Sequence, residues 1–365
     1  MTGISTMTPR ERMSAAMGLG TPDRVPVMCQ CSIGHMLIQL GVSPAEFWND
    51  PSVYVDGLFR IREIYDFDGI LVSLHGHDPL WRSNIASRRD TTEGELINWR
   101  DGSRTEFPND DLPRHRGVPA GHAPAEFIPV SQGLRFCVHP DHRFDVLVET
   151  VRRSAGRYSV HGEVTSPFDY VLDQGGHQAV LLALIDEPAS VKRALELWTA
   201  NVIALARGIC ETGVDAIKIS SPFAGAGFIS PAHYAEFILP YERRVVRAIR
   251  ECGVRAYLHT CGAIRDRLEM MIAGGADGIE CLDPPPLGNV ELREAMEIID
   301  GRCFVKGNVD SVNVLLRGSP SDIASDVRAR LAAAGGRPGF ILSTACSIAP
   351  GVPREHVRLL REAVG

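Results

Sequence analysis

No apolar run in this chain approaches the roughly 20 residues that carry a helix across a bilayer, so no membrane-spanning segment is expected. Residues 1–12 are polar and lack the apolar centre of a secretory leader. There is no basic stripe and no block of like charge. The 38 Lys and Arg and the 45 Asp and Glu are spread along the chain, with a net charge of −7. Nucleic acid is therefore a poor candidate partner. The nine cysteines form no framework of paired spacings, which points to free thiols in a reducing compartment rather than to disulfide staples. Cys-x2-Cys knuckles, the mark of a structural zinc, are also missing. The expectation is a soluble cytoplasmic protein with no membrane or nucleic-acid partner.

The chain has 365 residues, 44% of them apolar, enough for a large core. That size fits two ordinary domains or one barrel-type domain with insertions. Eight short apolar runs recur, at 25–28, 69–72, 158–164, 216–219, 255–258, 277–280, 303–305 and 340–342. Between most of them lie stretches of helical period, at 189–210, 232–250, 264–273, 290–299, 321–334 and 354–364. Ser230-Pro231, Ser319-Pro320 and Pro353 are helix-opening signals. Strands alternating with helices imply parallel pairing with crossovers. Eight such units in one chain predict a closed (β/α)8 TIM barrel, one domain over residues 1–365. Residues 81–145 break the rhythm with Gly, Pro, charge and short alternating runs at 95–99 and 126–130. They are read as an insertion after the second strand, part hairpin arm, placed to act as a lid.

In such barrels the chemistry sits where the strands end. Three runs end on potential metal ligands: Arg255-Ala256-Tyr257-Leu258-His259-Thr260-Cys261, Asp277-Gly278-Ile279-Glu280, and Gly339-Phe340-Ile341-Leu342-Ser343-Thr344-Ala345-Cys346. His259 and Cys261 are two apart, so both face one side of an extended segment. Imidazole and thiolates, with Glu280 as a possible fourth group, form a donor set that zinc favours. The bland alternative is that the thiols are small core residues and the histidine a satisfied polar group. Cys29 and Cys31 lack a histidine at metal-site spacing and read as core or surface thiols, and Cys210, Cys252, Cys281 and Cys303 read as packing residues. His75 and His77 are candidates for binding substrate or protonating a leaving group, and Asn308 for orienting a loop or substrate.

Several segments resemble the uroporphyrinogen decarboxylase-like superfamily. They are residues 221–231 (SPFAGAGFISP) with Phe237-Ile238-Leu239-Pro240-Tyr241-Glu242, then His259-Thr260-Cys261-Gly262, Gly307-Asn308-Val309-Asp310, and residues 340–346 with Pro350-Gly351-Val352-Pro353. The likeness runs from about residue 8 to 364 and is weakest over 81–145. It implies a (β/α)8 barrel. The decarboxylases of that superfamily carry arginines after the first strand and an aspartate after the second. Here Met28-Cys29-Gln30-Cys31-Ser32-Ile33-Gly34 holds no arginine, and the second segment reads Ser73-Leu74-His75-Gly76-His77. His259, Cys261 and the distant Cys346 instead resemble the zinc motif of the corrinoid-dependent, coenzyme M methyltransferase-like branch, and Glu280 resembles a carboxylate ligand of cobalamin-independent methionine synthase. The resemblance implies a zinc-dependent methyltransferase acting with a corrinoid on a partner protein. A methyl group would move between that corrinoid and a thiol or a methoxy- or methylamine-type substrate. The alternatives are a porphyrinogen-type decarboxylase and a non-catalytic barrel with a structural zinc.

Overall fold

A computed structural model describes residues 7–74, 76–117 and 140–365. Seven strands form one parallel sheet: β1 Gly69–Val72, then, after four strands of a separate sheet (β2 Ile85–Thr91, β3 Gly94–Trp99, β4 Arg104–Pro108, β5 Arg114–Arg116), β6 Ser159–Thr165, β7 Ala216–Ser220, β8 Arg255–Thr260, β9 Gly278–Cys281, β10 Phe304–Val309 and β11 Phe340–Thr344. The order β1-β6-β7-β8-β9-β10-β11 follows the chain, so each strand pairs with the next of the sheet. The run at 25–28 was expected to be a further strand. It makes an isolated bridge, Val27 to Leu342, and no full ladder. Pro26 has no N–H to offer, yet its carbonyl accepts from Leu342 N at 2.9 Å, and Met28 N donates to Leu342 O at 3.1 Å. On its other side Val27 O accepts from Asp68 N at 2.8 Å. Residues 26–28 thus join the two edges of the sheet.

The helices follow the expected periodicity with two revisions. Residues 232–250 form two helices, Pro231–Phe237 and Leu239–Glu251. Pro240 lacks the N–H needed to continue the first, and the chain turns at Ile238 (φ −121°). Residues 264–273 begin as a 3-10 turn, Arg265–Arg267, before the helix Leu268–Ala273. Elsewhere the opening signal at Ser319 holds, capping Pro320–Ala334 in a reciprocal box with Asp322, and the structure adds a like box of Thr8 with Glu11 for Pro9–Met17.

The inner face of the sheet is layered. At the N-terminal ends of the strands, Met13, Met17, Met28, Tyr257, Phe304 and Ile341 make an apolar plug, with helix Pro9–Met17 supplying the first two. Above it lie Lys218 and Lys306, neither with any exposed surface. The ladders carry Lys218 opposite Tyr257, His259 opposite Glu280, and Glu280 opposite Lys306. Between β1 and β6 the chain forms the separate antiparallel sheet β2-β3-β4-β5, which packs Ile97, Trp99 and Phe107 against Ala45, Trp48 and Trp81. The run at 126–130 lies outside the described residues.

Candidate metal centre

His259 is the penultimate residue of β8, Cys261 directly follows that strand, and Cys346 lies two residues beyond β11. One ligand atom from each lies within 4.8 Å of the other two. Cys261 Sγ is 3.3 Å from His259 Nε2 and 3.8 Å from Cys346 Sγ. A tetrahedral zinc with Zn–S near 2.3 Å and Zn–N near 2.0–2.1 Å has S···S edges of about 3.8 Å and S···N edges of about 3.5 Å. The two distances made by Cys261 therefore match tetrahedral edges, and the donor types fit zinc. The backbone holds them there. Gly225, in the loop after β7, approaches so closely that a Cβ on it would lie 2.4 Å from Cys261 O, a contact only glycine permits.

Glu280 does not stand with the sulfurs. Its Oε2 is 2.8 Å from His259 Nδ1 and its Oε1 accepts from Lys306 Nζ. Burial pushes the Glu280 carboxyl up, but Lys306, Lys218 and His259 together hold it well below the usual carboxylate range. A charged carboxylate only accepts, so Nδ1 carries the proton and the Nε2 lone pair faces Cys261. Glu280, expected as a fourth ligand, thus stands behind the imidazole as the carboxylate bound to its Nδ1. Burial and Lys218 lower the His259 pKa, while hydrogen bonds with Cys346 and Glu280 raise it net above its usual value.

The thiols differ in acidity. Hydrogen bonds from Cys281 and Cys346 hold Cys261 down to about 4. The same bond with Cys261, together with burial, pushes Cys346 up. Burial raises Cys29 to about 11 and raises Cys31 further. Among the described residues Cys29 and Cys31 join no group of three potential ligands.

Sequence reasoning missed the ionic layer beneath the cluster. Lys218 Nζ lies 2.8 Å from Glu163 and 3.9 Å from Glu280, and donates to Gln30. Two buried lysines face two carboxylates, so the charges of that layer balance. The available signal was a lysine inside the apolar run 216–219 and another directly after the run 303–305. Cys281, read as a packing thiol, forms with Asp283 and Cys261 a second group within 4.8 Å. Asp169 was also missed. It is 3% exposed, accepts from Ser166 Oγ at 2.5 Å and Ser221 Oγ at 3.3 Å, and burial raises it to about 7.

The remaining expectations meet different partners. Asn308 donates to Leu282 O at 2.8 Å and accepts from Arg330 at 3.2 Å, which ties the loop after β9 to helix Pro320–Ala334. His77 is buried beside His142 and Asp145. His75 lies outside the described residues.

Known proteins resemble this chain along its length. The methylcobamide:CoM methyltransferase MtbA of Methanosarcina mazei is 24% identical, the match covering 98% of each chain. Its namesake in Methanosarcina acetivorans is 26% identical over 60% of this chain and 63% of its own length. A uroporphyrinogen decarboxylase of Syntrophotalea carbinolica is 27% identical over 68% of this chain and 73% of its own. The solved structure of a methyltransferase from Methanosarcina mazei superposes with a TM-score of 0.73 at 20% identity, covering 98% of both chains, and so shares the fold. The family described as Uroporphyrinogen decarboxylase (URO-D) matches residues 132–365, well over half of the sequence, and the chain belongs to that family.

Proposed function

We propose that this protein is a zinc-dependent methyltransferase that moves a methyl group between a corrinoid carried by a partner protein and a thiol or a methoxy- or methylamine-type substrate. One observation carries the reading: an imidazole and two sulfurs from the ends of β8 and β11 converge, with Cys261 at tetrahedral edge lengths from both partners. Relatives named as methyltransferases and as decarboxylases are similarly distant, so identity alone does not choose between the activities. The site does. A porphyrinogen with several carboxylates needs cations, and residues 28–34 hold no arginine; Gln30 is bound instead to Lys218. A structural zinc is usually closed by four protein ligands, whereas the three here leave a position open.

When bound, the ion supplies Lewis acidity that holds a substrate thiol as its thiolate or polarises the heteroatom that gives up the methyl group. The residues do the rest. Glu280 fixes the His259 tautomer and leaves Nε2 as the atom with which His259 would hold the ion. Lys306 keeps Glu280 charged. Cys261 and Cys346 would contribute anionic sulfur to the ion, which would sustain nucleophilicity in a thiolate beside them. Burial of His259, 4% exposed, keeps water from competing on that side.

The same reading takes residues 1–365 as one (β/α)8 barrel, with 81–145 as a lid inserted after its second strand. The contacts that join the sheet edges through residues 26–28 support the closure. A reducing, cytoplasmic setting is part of it, supported by the eight free cysteines of the described residues. Among those residues no helix is long and apolar enough to cross a membrane.

The test is turnover. Zinc-loaded protein is incubated with methylcobalamin and a panel of small thiols, following loss of the cobalt-bound methyl group and appearance of the thioether. The expected result is a thioether from at least one thiol, abolished in folded Cys261→Ser and Cys346→Ser variants. Decarboxylation of a porphyrinogen by the zinc-free protein, without methyl transfer, would overturn the reading.

A further inference from the structure

A second set of metal-binding side chains lies apart from the sulfurs. His77, His142 and Asp145 each place one ligand atom within 4.8 Å of the others. His77 lies five residues beyond β1, and Asp145 opens the helix Asp145–Ser154 that leads into β6. Both positions belong to the C-terminal side of the parallel sheet, the side on which the His259 cluster stands. The loops that carry them are pressed together. A Cβ at Gly76 would lie 2.3 Å from Arg143 O and 2.6 Å from His142 O, so the glycine is what lets the two backbones meet.

Of the three side chains, His77 is the one whose ring nitrogen the set leaves unsatisfied. His142 Nδ1 is 2.7 Å from Asp145 Oδ2, while His77 Nδ1 stands 4.0 Å from the same oxygen, too far for a hydrogen bond. The two imidazole rings lie beside each other with centroids 5.5 Å apart. His77 is 8% exposed and its Nδ1 has no hydrogen-bond partner. Folded proteins rarely leave a buried ring nitrogen unpaired, and such a group marks the place of something that completes it. An ion among the three would take the His77 lone pair together with those of its neighbours.

We propose that His77, His142 and Asp145 form a second metal site, for a divalent first-row transition-metal ion. Two imidazoles and one carboxylate suit zinc, cobalt or ferrous iron, whereas magnesium and calcium favour all-oxygen shells. Three protein ligands leave coordination positions for an oxygen or nitrogen atom of a small substrate. The site uses no sulfur and stands independently of the methyltransferase reading.

Cobalt(II) is the probe, because bound thiolates give an intense sulfur-to-cobalt band and imidazole with carboxylate does not. Metal-stripped full-length protein takes up two equivalents of Co2+, and the sulfur band accounts for one. His77→Ala takes up one equivalent with the sulfur band intact. The Cys261→Ser/Cys346→Ser variant takes up one equivalent without that band, and adding His77→Ala or Asp145→Asn to it removes the uptake. Circular dichroism and thermal unfolding confirm that each variant is folded; if the cysteine variant is not, the His77→Ala stoichiometry decides. Uptake of a single equivalent by the unchanged protein with the sulfur band at full strength, or unchanged uptake after His77→Ala and Asp145→Asn, overturns the proposal.

Discussion

The two ends of the parallel sheet are made from the same strands and finished in opposite ways. At the N-terminal end an aspartate stands one residue ahead of β1, β7 and β9. Each takes an arginine and a backbone N–H. Asp68 accepts from Arg12 at 2.6 Å, Arg24 at 2.9 Å and Val27 N at 2.8 Å. Asp215 accepts from Arg10 at 2.8 Å and Val160 N at 2.9 Å, and Asp277 from Arg255 at 3.1 Å and Ala256 N at 2.9 Å. At the C-terminal end His259, Cys261 and Cys346 stand at or just past the ends of β8 and β11, and Thr260 Oγ1, Thr344 Oγ1 and Asp283 Oδ1 are buried without partners. One end is closed by its own side chains; the other has donor capacity that a bound group would complete. That division matches the general separation of stability and chemistry in such sheets.

Substitutions at the two ends should therefore separate stability from metal binding. The largest effect is expected at Asp68, whose side chain is 1% exposed and pairs with two arginines. Asp68→Ala leaves those guanidinium groups without their buried partner and lowers stability by about 3–5 kcal/mol, read by urea unfolding, with zinc content unchanged in the folded fraction. Cys261→Ser should do the reverse. Zinc affinity and methyl transfer fall by more than about 100-fold, beyond what loss of a supporting partner costs, while the unfolding midpoint barely moves. Glu280→Gln should be intermediate. It frees His259 Nδ1 from its charged acceptor and weakens zinc binding by roughly 10–100-fold in a competition titration.

A pH series sharpens the contrast within the C-terminal end. Burial raises the Asp169 carboxyl from 3.8 to about 7. Between those values the folded protein holds a proton that the unfolded chain has lost, so this contribution is present in full at low pH and is lost as pH rises through about 7. Stability should decline by up to roughly 1.4 kcal/mol per pH unit in that window. Asp169→Asn should flatten the decline in urea unfolding measured across the range. The smallest effect is expected at Arg10, whose side chain is 46% exposed. Arg10→Ala should cost no more than about 1 kcal/mol, because exposed ion pairs are weak.

The sequence reveals ligand positions better than the partners that tune them. His259, Cys261 and Cys346 stand out because a ligand at the end of an apolar run is unusual, and neighbouring strands then bring them together. Seven of the eight apolar runs form strands; the run at 25–28 contains Pro26 and manages only bridges. The lysines at 218 and 306 were equally visible as charges within or directly after apolar runs, but their pairing with Glu163 and Glu280 depends on cross-strand register, which no local pattern carries. Register also decides that Glu280 faces His259 Nδ1 rather than the sulfurs. The aspartates of the N-terminal end did leave a local trace, in Asp68-Gly69-Ile70, Asp215-Ala216-Ile217 and Asp277-Gly278-Ile279. His142 and Asp145 left none, since their meeting with His77 is made by the contact of two loops far apart in the chain.

X-ray absorption at the zinc edge tests the central claim most directly, using zinc-loaded His77→Ala protein so that one class of ion reports. Two sulfurs at about 2.3 Å and one imidazole nitrogen at about 2.0–2.1 Å are expected, with a third sulfur on addition of a thiol substrate. A shell of nitrogen and oxygen alone, unchanged by the thiol, would contradict it.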